Sequence, residues 1–159
     1  MRSIIILLFL FTLSVPAMAN DERWKFGDFE YEGFPLLLRS PFKLDYDELQ
    51  VQYPQFISMT HKLKDVMNNG LPNREYNRSL FEFDIFVSEV LEKERTGVTV
   101  LVETFGGNRN YYMYSAESVE ITTLEKKITD KFPEQEILIE SKIDKSWSFI
   151  RAYSNDWNF

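Results

Sequence analysis

The residues with the clearest potential for recognition chemistry lie in residues 98–115, a segment centred on Gly106 and Gly107. Arg109 follows these glycines closely, and tyrosines occupy three of the next five positions. A guanidinium beside tyrosine rings can stack against a peptide, carboxylate or sugar ligand and hydrogen-bond it. Cross-strand packing of the rings, with Arg109 at the turn for solubility, is the alternative and the more common role. As a hypothesis, we assign binding to Asn108, Arg109, Tyr111, Tyr112, Tyr114 and Trp147.

Residues for acid–base or metal chemistry are sparse. His61 is the single histidine, and it shares an apolar strand pattern with Met59 and Leu63, which favours a partly buried structural role over a general base. The chain has no cysteine, which excludes disulfides, thiol catalysis and thiolate metal sites. The acidic run at residues 45–48 offers oxygen ligands but lacks the spacing and the glycine of a calcium loop. The sequence therefore predicts no metal site and no cofactor.

Motifs for nucleophiles and phosphates are also missing. No Gly-x-Ser-x-Gly pattern stands between a strand and a helix. The Gly106-Gly107-Asn108-Arg109 run lacks the glycine spacing and the following helix of a phosphate-binding loop, so it predicts a hairpin turn. Carboxylate pairs such as Glu82 with Asp84 do occur, but a chain with 25 acidic residues produces such pairs by chance. A hydrolase based on carboxylates would need one pair with raised pKa values in a pocket.

The first residues have the pattern of a cleaved secretory signal peptide. Arg2 precedes an apolar run at residues 4–15, and Ala17-Met18-Ala19 matches the small-residue cleavage site. The run is shorter than the ~20 residues that span a bilayer, and an uncleaved anchor is the alternative. We predict a signal peptide over residues 1–19, a single domain over residues 20–159, and a periplasmic or secreted location without membrane attachment after cleavage.

The charge of the chain narrows the class of partner. The formal net charge is −7, and cleavage after Ala19 would remove Arg2 and bring it to −8. An acidic chain repels phosphate backbones and anionic lipid surfaces, which argues against nucleic-acid binding and peripheral membrane attachment. It is compatible with a basic protein partner. A hydrophobic content of 44% predicts a packed core rather than disorder.

Hydrophobic periodicity predicts both strands and helices. Predicted strands span residues 24–31 with a break at Gly27, 34–39, 55–63 and 136–143, together with the hairpin of residues 98–115. Predicted helices span residues 75–95, ended by Gly97, and residues 115–132, capped by Ser115 and ended by Pro133. Residues 45–52 are expected to form a loop or a short helical turn. The tail of residues 145–159 is too aromatic to be a free end.

From residue 54 onward the element order is β-α-β-β-α-β. This is the split βαβ order of ferredoxin-like folds, in which two helices cover one face of an antiparallel sheet. The predicted fold class is therefore α+β, a ferredoxin-like two-layer sandwich with extra N-terminal strands and an aromatic C-terminal tail. We expect the tail to dock on the sheet with Trp147 in the core.

Several short motifs carry a resemblance to a known family. They are Tyr53-Pro54, the Gly-Asn-Arg-x-Tyr-Tyr-x-Tyr run at residues 107–114, and Asp144-x-x-Trp147-Ser148-Phe149, with Trp24, Gly33-Phe34-Pro35 and Arg39-Ser40 at the first strands. With these motifs the chain resembles a bacterial domain family of unknown function, the one numbered six-nine-five. Members often have Asn-Gly-Arg where this chain has Gly107-Asn108-Arg109. The resemblance implies one α+β domain over almost the whole mature chain, and it brings no established activity.

Two functional hypotheses follow. The first is a non-catalytic, exported binding module for an unknown protein or small-molecule partner, in one form an inhibitor or immunity-type protein that binds a basic toxin or enzyme. The second is a carboxylate-dependent hydrolase that acts on an envelope substrate. The lack of any catalytic signature favours the first.

Overall fold

The computed structural model describes residues 23–157, in which six strands and five helices form one antiparallel sheet with flanking helices. The elements are β1 (Trp24–Tyr31), β2 (Phe34–Pro41), α1 (Tyr46–Gln52), β3 (Gln55–Lys62), α2 (Arg74–Ser79), α3 (Phe81–Lys93), β4 (Gly97–Phe105), β5 (Asn108–Ser115), α4 (Ile121–Lys131), β6 (Ile137–Ile143) and α5 (Ser148–Trp157). The predicted signal peptide lies outside the described residues. None of the helices in this part of the chain has the length and apolar character to cross a membrane.

The six strands lie in the order β1-β2-β4-β5-β3-β6, and all neighbours are antiparallel. The α+β class is confirmed. Two tight hairpins set much of the register: β1 joins β2 through Glu32 and Gly33, and β4 joins β5 through Gly106 and Gly107. All four turn residues have positive φ, as a two-residue turn that follows the strand twist requires. The predicted hairpin of residues 98–115 is confirmed.

Helices cover both faces of the sheet. On one face, α3 and α4 cover a core that contains Ile57, Met59, Phe83, Val87, Val90, Leu91, Val102, Tyr111, Met113, Leu124 and Ile128. On the other face, α1 and α5 cover a core that contains Leu36, Leu38, Phe56, Val98, Val100, Leu101, Tyr114, Trp147 and Ile150. The predicted two-layer sandwich is therefore wrong. Since β4 is apolar on both sides, each side needs a cover, and the aromatic tail supplies the second one as helix α5.

The predicted helix over residues 75–95 is two helices, with Leu80 between α2 and α3. Its expected end at Gly97 is also wrong. Arg95 takes the left-handed conformation after α3 (φ 56°), and Gly97 is the first residue of β4. There, a Cβ atom would lie 2.4 Å from the carbonyl oxygen of Tyr114, so glycine is needed for close backbone approach and not for helix termination.

Two other local predictions are corrected by the structure. Ser115 does not cap a helix, because it ends β5 and pairs with both Gly97 and Gln55 in the ladders on either side; α4 begins only at Ile121. Strand β1 runs without a break through Gly27, which pairs with Leu38. Of the loop or short helical turn expected over residues 45–52, the helical alternative is present, as α1.

Candidate functional site

The strand pleat separates the tyrosines that the sequence grouped into one site. Successive side chains of β5 point to opposite faces of the sheet, so Tyr111 lies in the core under α3, whereas Tyr112 and Tyr114 lie under α5. Tyr111 and Tyr114 are fully buried, and Tyr112 is partly exposed. Asn108 lies beside the turn, opposite Phe105. The predicted residues therefore do not form one binding surface.

Tyr114 and Trp147 form part of the junction between the sheet and α5. The two rings stack with centroids 4.2 Å apart, and Trp147 Nε1 donates to the carbonyl of Tyr53 at 2.8 Å. Asp144 accepts from the Tyr114 hydroxyl at 2.7 Å and from the backbone N–H groups of Ser148 and Phe149, where α5 begins. The core position predicted for Trp147 is confirmed, and its motif is a helix-anchoring device.

Asp144 is held ionised by these donors. Burial acts to raise its pKa, but the hydrogen bonds from Tyr114, Phe149 and Ser148 outweigh burial and lower the pKa to about 2. A carboxylate saturated in this way is a structural acceptor and has no proton to give near neutral pH.

Tyr112 belongs to a second junction with α5. Its hydroxyl donates to Glu103 at 3.3 Å, the Asn110 amide donates to the same carboxylate at 2.7 Å, and the Tyr153 hydroxyl of α5 donates to it as well. The Tyr112 ring also contacts Phe149, with centroids 4.7 Å apart. Burial, and next the Glu103 carboxylate, raise the pKa of Tyr112 far above its usual value. These contacts bind α5 to the sheet.

Arg109 points away from Tyr112 and Tyr114, to the face under α2 and α3, which it shares with Tyr111. Its Nε donates to Thr104 at 3.1 Å, its Nη1 to Asp84 at 3.4 Å and its Nη2 to Asn77 at 2.6 Å. Strand β4 supplies Thr104 directly opposite Arg109, α3 supplies Asp84, and α2 supplies Asn77. A side chain predicted at the solvent side of a turn is thus mostly buried among polar groups.

Asp84 is the centre of this group, which we call the arginine cluster: Arg39, Asp84 and Arg109. Arg39 Nη1 donates to Asp84 Oδ2 at 2.7 Å, and the Tyr111 hydroxyl donates to Asp84 Oδ1 at 2.8 Å. Arg39 Nη2 donates to Ser88 on α3, and the guanidinium lies 4.7 Å from the ring centroid of Trp24. The cluster therefore joins α3 to β2 and β5.

The arginine cluster carries one positive charge in excess. Burial acts to raise the pKa of Asp84, but the charges of Arg39 and Arg109 outweigh it and hold the pKa below its usual value. The carboxylate is therefore ionised, and two guanidiniums share it. Arg39 Nε is buried and has no hydrogen-bond acceptor within residues 23–157. The cluster can accept a further anion, in a chain whose net charge is −7.

The arginine cluster lies within the part of the chain that a known family describes. A model of a family of unknown function (DUF695) matches residues 22–153, a range that contains β1 to β6 and the first part of α5. The chain belongs to the DUF695 family. Neither a curated protein nor a solved structure matches it. The predicted resemblance is confirmed.

The sequence pattern of this DUF695 chain indicated Arg109 but not its partners. A signal for each was present. Arg39 follows the apolar run of residues 36–38, and Asp84 stands on the apolar stripe of a helix between Phe83 and Val87. A charged residue in an apolar stripe is buried only with a partner, but the sequence does not tell which oppositely charged residue meets it.

His61 lies next to the arginine cluster and is fully buried, so its predicted structural role is confirmed. It stands opposite Arg109 in the β3–β5 ladder, its Nε2 lies 2.9 Å from Gln135 Oε1, and its ring contacts Phe83. Burial lowers the pKa of His61; the contact with Gln135 acts to raise the pKa, and the nearby charge of Arg109 lowers it further. The imidazole is neutral near pH 7 and has no solvent access for general base catalysis.

The residues that the structure describes provide few groups that could bind a metal ion. Across residues 23–157, no three His, Cys, Asp or Glu side chains come together in a way that could hold one. In the acidic run considered as a weak calcium candidate, Asp45 accepts from the backbone N–H groups of Asp47 and Glu48 and caps α1. The chemistry that the geometry does support is recognition of an anion.

Proposed function

We propose that this protein is a non-catalytic binding module and that Arg39 and Arg109 form its anion-recognition centre. One observation carries the proposal: two largely buried guanidiniums share the single carboxylate of Asp84. A buried charge without a matching counter-charge is costly. An incoming anion would relieve that cost and would be held by charge-assisted hydrogen bonds that are stronger than those at a solvated arginine.

The unused donors of the cluster support the same proposal. Each guanidinium carries five N–H groups. Within the described residues, Arg39 donates to Asp84 and Ser88, and Arg109 donates to Thr104, Asp84 and Asn77. Half of the N–H groups therefore have no protein acceptor there, and those of them that reach the surface are open to a ligand. Of the binding residues predicted from the sequence, only Arg109 belongs to this centre.

The carboxyl groups of the described chain favour binding over hydrolysis. The pKa values of Asp84 and Asp144 are held low, so neither is a proton donor near neutral pH. Partial desolvation raises the pKa of Glu92, but this residue stays largely exposed on α3 and, within the described residues, lines no pocket with a second acid of raised pKa. The pKa of its neighbour Glu89 is lowered by Lys93 and Arg23. A hydrolase of the proposed kind needs an acid and a base in one pocket.

We also propose that the protein is exported. The support is the charged, apolar and small-residue pattern of residues 1–19, and the mature domain would comprise residues 20–159. Expression of the full chain followed by N-terminal sequencing of the periplasmic protein tests this. A mature terminus at Asn20 supports export, and an intact terminus in the cytosolic fraction contradicts it.

For the architecture, we propose that β3 to β6, with α3 and α4, are a ferredoxin-like unit to which β1, β2 and α5 are added. The order β4-β5-β3-β6 supports this, because β5 lies between β4 and β3 and each helix connects strands that are not neighbours. Each connection that contains a helix therefore joins two strands that have one other strand between them, as in a split βαβ unit.

The test of the anion centre is an NMR titration of protein produced from the full chain with sodium acetate and with phosphate. Ionic strength is held constant with chloride. We expect the Nε–Hε signals of Arg39 and Arg109 to shift saturably, with a dissociation constant on the order of 1 mM. Signals of these two arginines that move no more than that of Arg151, which pairs with Asp47 on the other side of the molecule, would refute the proposal.

A further inference from the structure

Exposed apolar side chains stand on both sides of the arginine cluster. On β1, Phe26 lies directly opposite Arg39 in the β1–β2 ladder and is 71% exposed. On α3, Phe81 is 65% exposed and Ile85 is 36% exposed. Large apolar side chains are seldom left this open without a partner when they stand together.

Backbone geometry places these side chains next to the charges. Directly opposed residues of an antiparallel pair share one face, with Cβ atoms about 4.5–5.5 Å apart, so Phe26 stands beside Arg39. Residues three and four apart on a helix are neighbours, so Phe81 stands beside Asp84 and Ile85. Because Asp84 binds Arg39, the ion pair that connects α3 to β2 has exposed apolar groups on its strand side and on its helix side.

The guanidiniums are recessed relative to these groups. The side chain of Arg39 is 23% exposed and that of Arg109 is 11% exposed. A ligand that contacts both the recessed guanidiniums and the exposed apolar side chains must have a narrow anionic group and an apolar body. A carboxylate fits as the anionic group, because the two arginines already hold the planar carboxylate of Asp84 through one oxygen each.

Building on the anion centre proposed above, we propose that the ligand is a small amphipathic carboxylic acid. Its carboxylate receives hydrogen bonds from Arg39, with Arg109 supplying further positive charge. Its apolar body covers Phe26 on β1 and Phe81 and Ile85 on α3. The site requires no covalent chemistry: it selects a monoanion that carries an apolar stem over a bare anion or an uncharged apolar molecule.

The test compares three probes by calorimetric titration of protein produced from the full chain: 3-phenylpropionate, its neutral amide, and acetate. We expect 3-phenylpropionate to bind at least about tenfold more tightly than acetate, since burial of even about 60 Å² of apolar surface is sufficient for that ratio. We expect no measurable binding of the amide, because it lacks the charge that the arginines recognise.

Single substitutions separate the contribution of the arginine charge to binding from that of the apolar side chains. Arg39→Gln leaves Asp84 bonded to Arg109 and Tyr111, removes the excess charge, and should weaken 3-phenylpropionate at least about tenfold. Arg151→Gln, which makes the same change of net charge on an arginine paired with Asp47, is its matched control and should leave binding unchanged. Phe26→Ser and Phe81→Ser should lower the affinity for 3-phenylpropionate to about the affinity for acetate. Neither substitution should change the affinity for acetate.

The outcomes separate this inference from the proposal on which it rests. Equal affinities of acetate and 3-phenylpropionate at the arginines would overturn the proposal of an amphipathic ligand, and the proposed anion centre would remain. Failure of every anion to bind would overturn both. Tighter binding of a capped Phe-Asp-Phe peptide than of 3-phenylpropionate would overturn the small-acid assignment in favour of a protein partner. If Arg39→Gln loses its fold by circular dichroism, Arg39→Lys replaces it, and retention of full affinity by that variant would contradict recognition by a planar guanidinium.

Discussion

Asp84 on α3 and Arg39 on β2 form an ion pair of 2.7 Å between side chains 45 residues apart in the sequence. The pair lies between the helical layer and the sheet, and Arg109 and Tyr111 donate to the other oxygen of the same carboxylate. One acidic residue thus links α3 to two strands. Its removal and its titration are the most informative perturbations of this molecule.

Replacement of Asp84 by Asn should destabilise the protein by about 3–5 kcal/mol, because both guanidiniums then stay buried without a counter-charge. Urea denaturation followed by circular dichroism measures the change. Asp47→Asn, which removes the exposed partner of Arg151, is the control and should cost less than about 1 kcal/mol. An equal effect of both substitutions would contradict the central role of Asp84.

Substitution of either arginine should reduce the stability of the fold less than substitution of Asp84. In Arg39→Gln or Arg109→Gln, Asp84 keeps one guanidinium and the Tyr111 hydroxyl, so its charge stays matched. We expect each substitution to lower the free energy of unfolding by about 1–2 kcal/mol, the range for lost hydrogen bonds to a group that remains satisfied. The same denaturation experiment measures it. A larger loss than that in Asp84→Asn would mean that the cluster has no excess positive charge.

Stability should fall as the pH is lowered from about 4 towards 2. The pKa of Asp144 is about 2 in the folded protein, against its usual 3.8, so the unfolded state binds the proton first. The stabilisation by ionised Asp144 is therefore complete above pH 4 and is lost as the pH falls through the folded pKa. The lowered pKa of Asp84 acts in the same direction. Thermal melts at several pH values should give a shallower decline for Asp144→Asn than for the unchanged protein.

His61 should titrate below its usual pKa of 6.5, because burial disfavours the imidazolium. The chain has a single histidine, so one imidazole signal in an NMR pH titration reports it without assignment. Protonation then occurs first in the unfolded state, and stability should decline as the pH drops below about 6.5. Replacement of Gln135 by Leu removes the ring's hydrogen-bond partner and should lower the pKa further. A His61 signal that titrates above 6.5 would contradict this account of its burial.

Patterns of neighbouring residues in the sequence were sufficient to predict much of the architecture. Alternation of apolar residues indicated the strands, and Gly106 with Gly107 indicated the hairpin, because both depend on the conformations of neighbouring residues. The burial of His61 and Trp147 followed in the same way from apolar neighbours and aromatic density. Local rules misplaced Gly97 and Ser115, whose roles come from strand pairing across the sheet and not from the helices beside them in the sequence.

The tertiary structure alone decided which residues meet. Alternation along β5 puts Tyr111 and Tyr112 on opposite faces, and packing of α3 on one face and α5 on the other gave these adjacent residues separate roles. Packing of α3 against the sheet brought Asp84 to Arg39 and Arg109. The sequence by itself determined most of the strands, the hairpin and the buried character of single residues. It did not determine the arginine cluster, because the energy of an ion pair depends on distance in space, and that distance is set by long-range strand order.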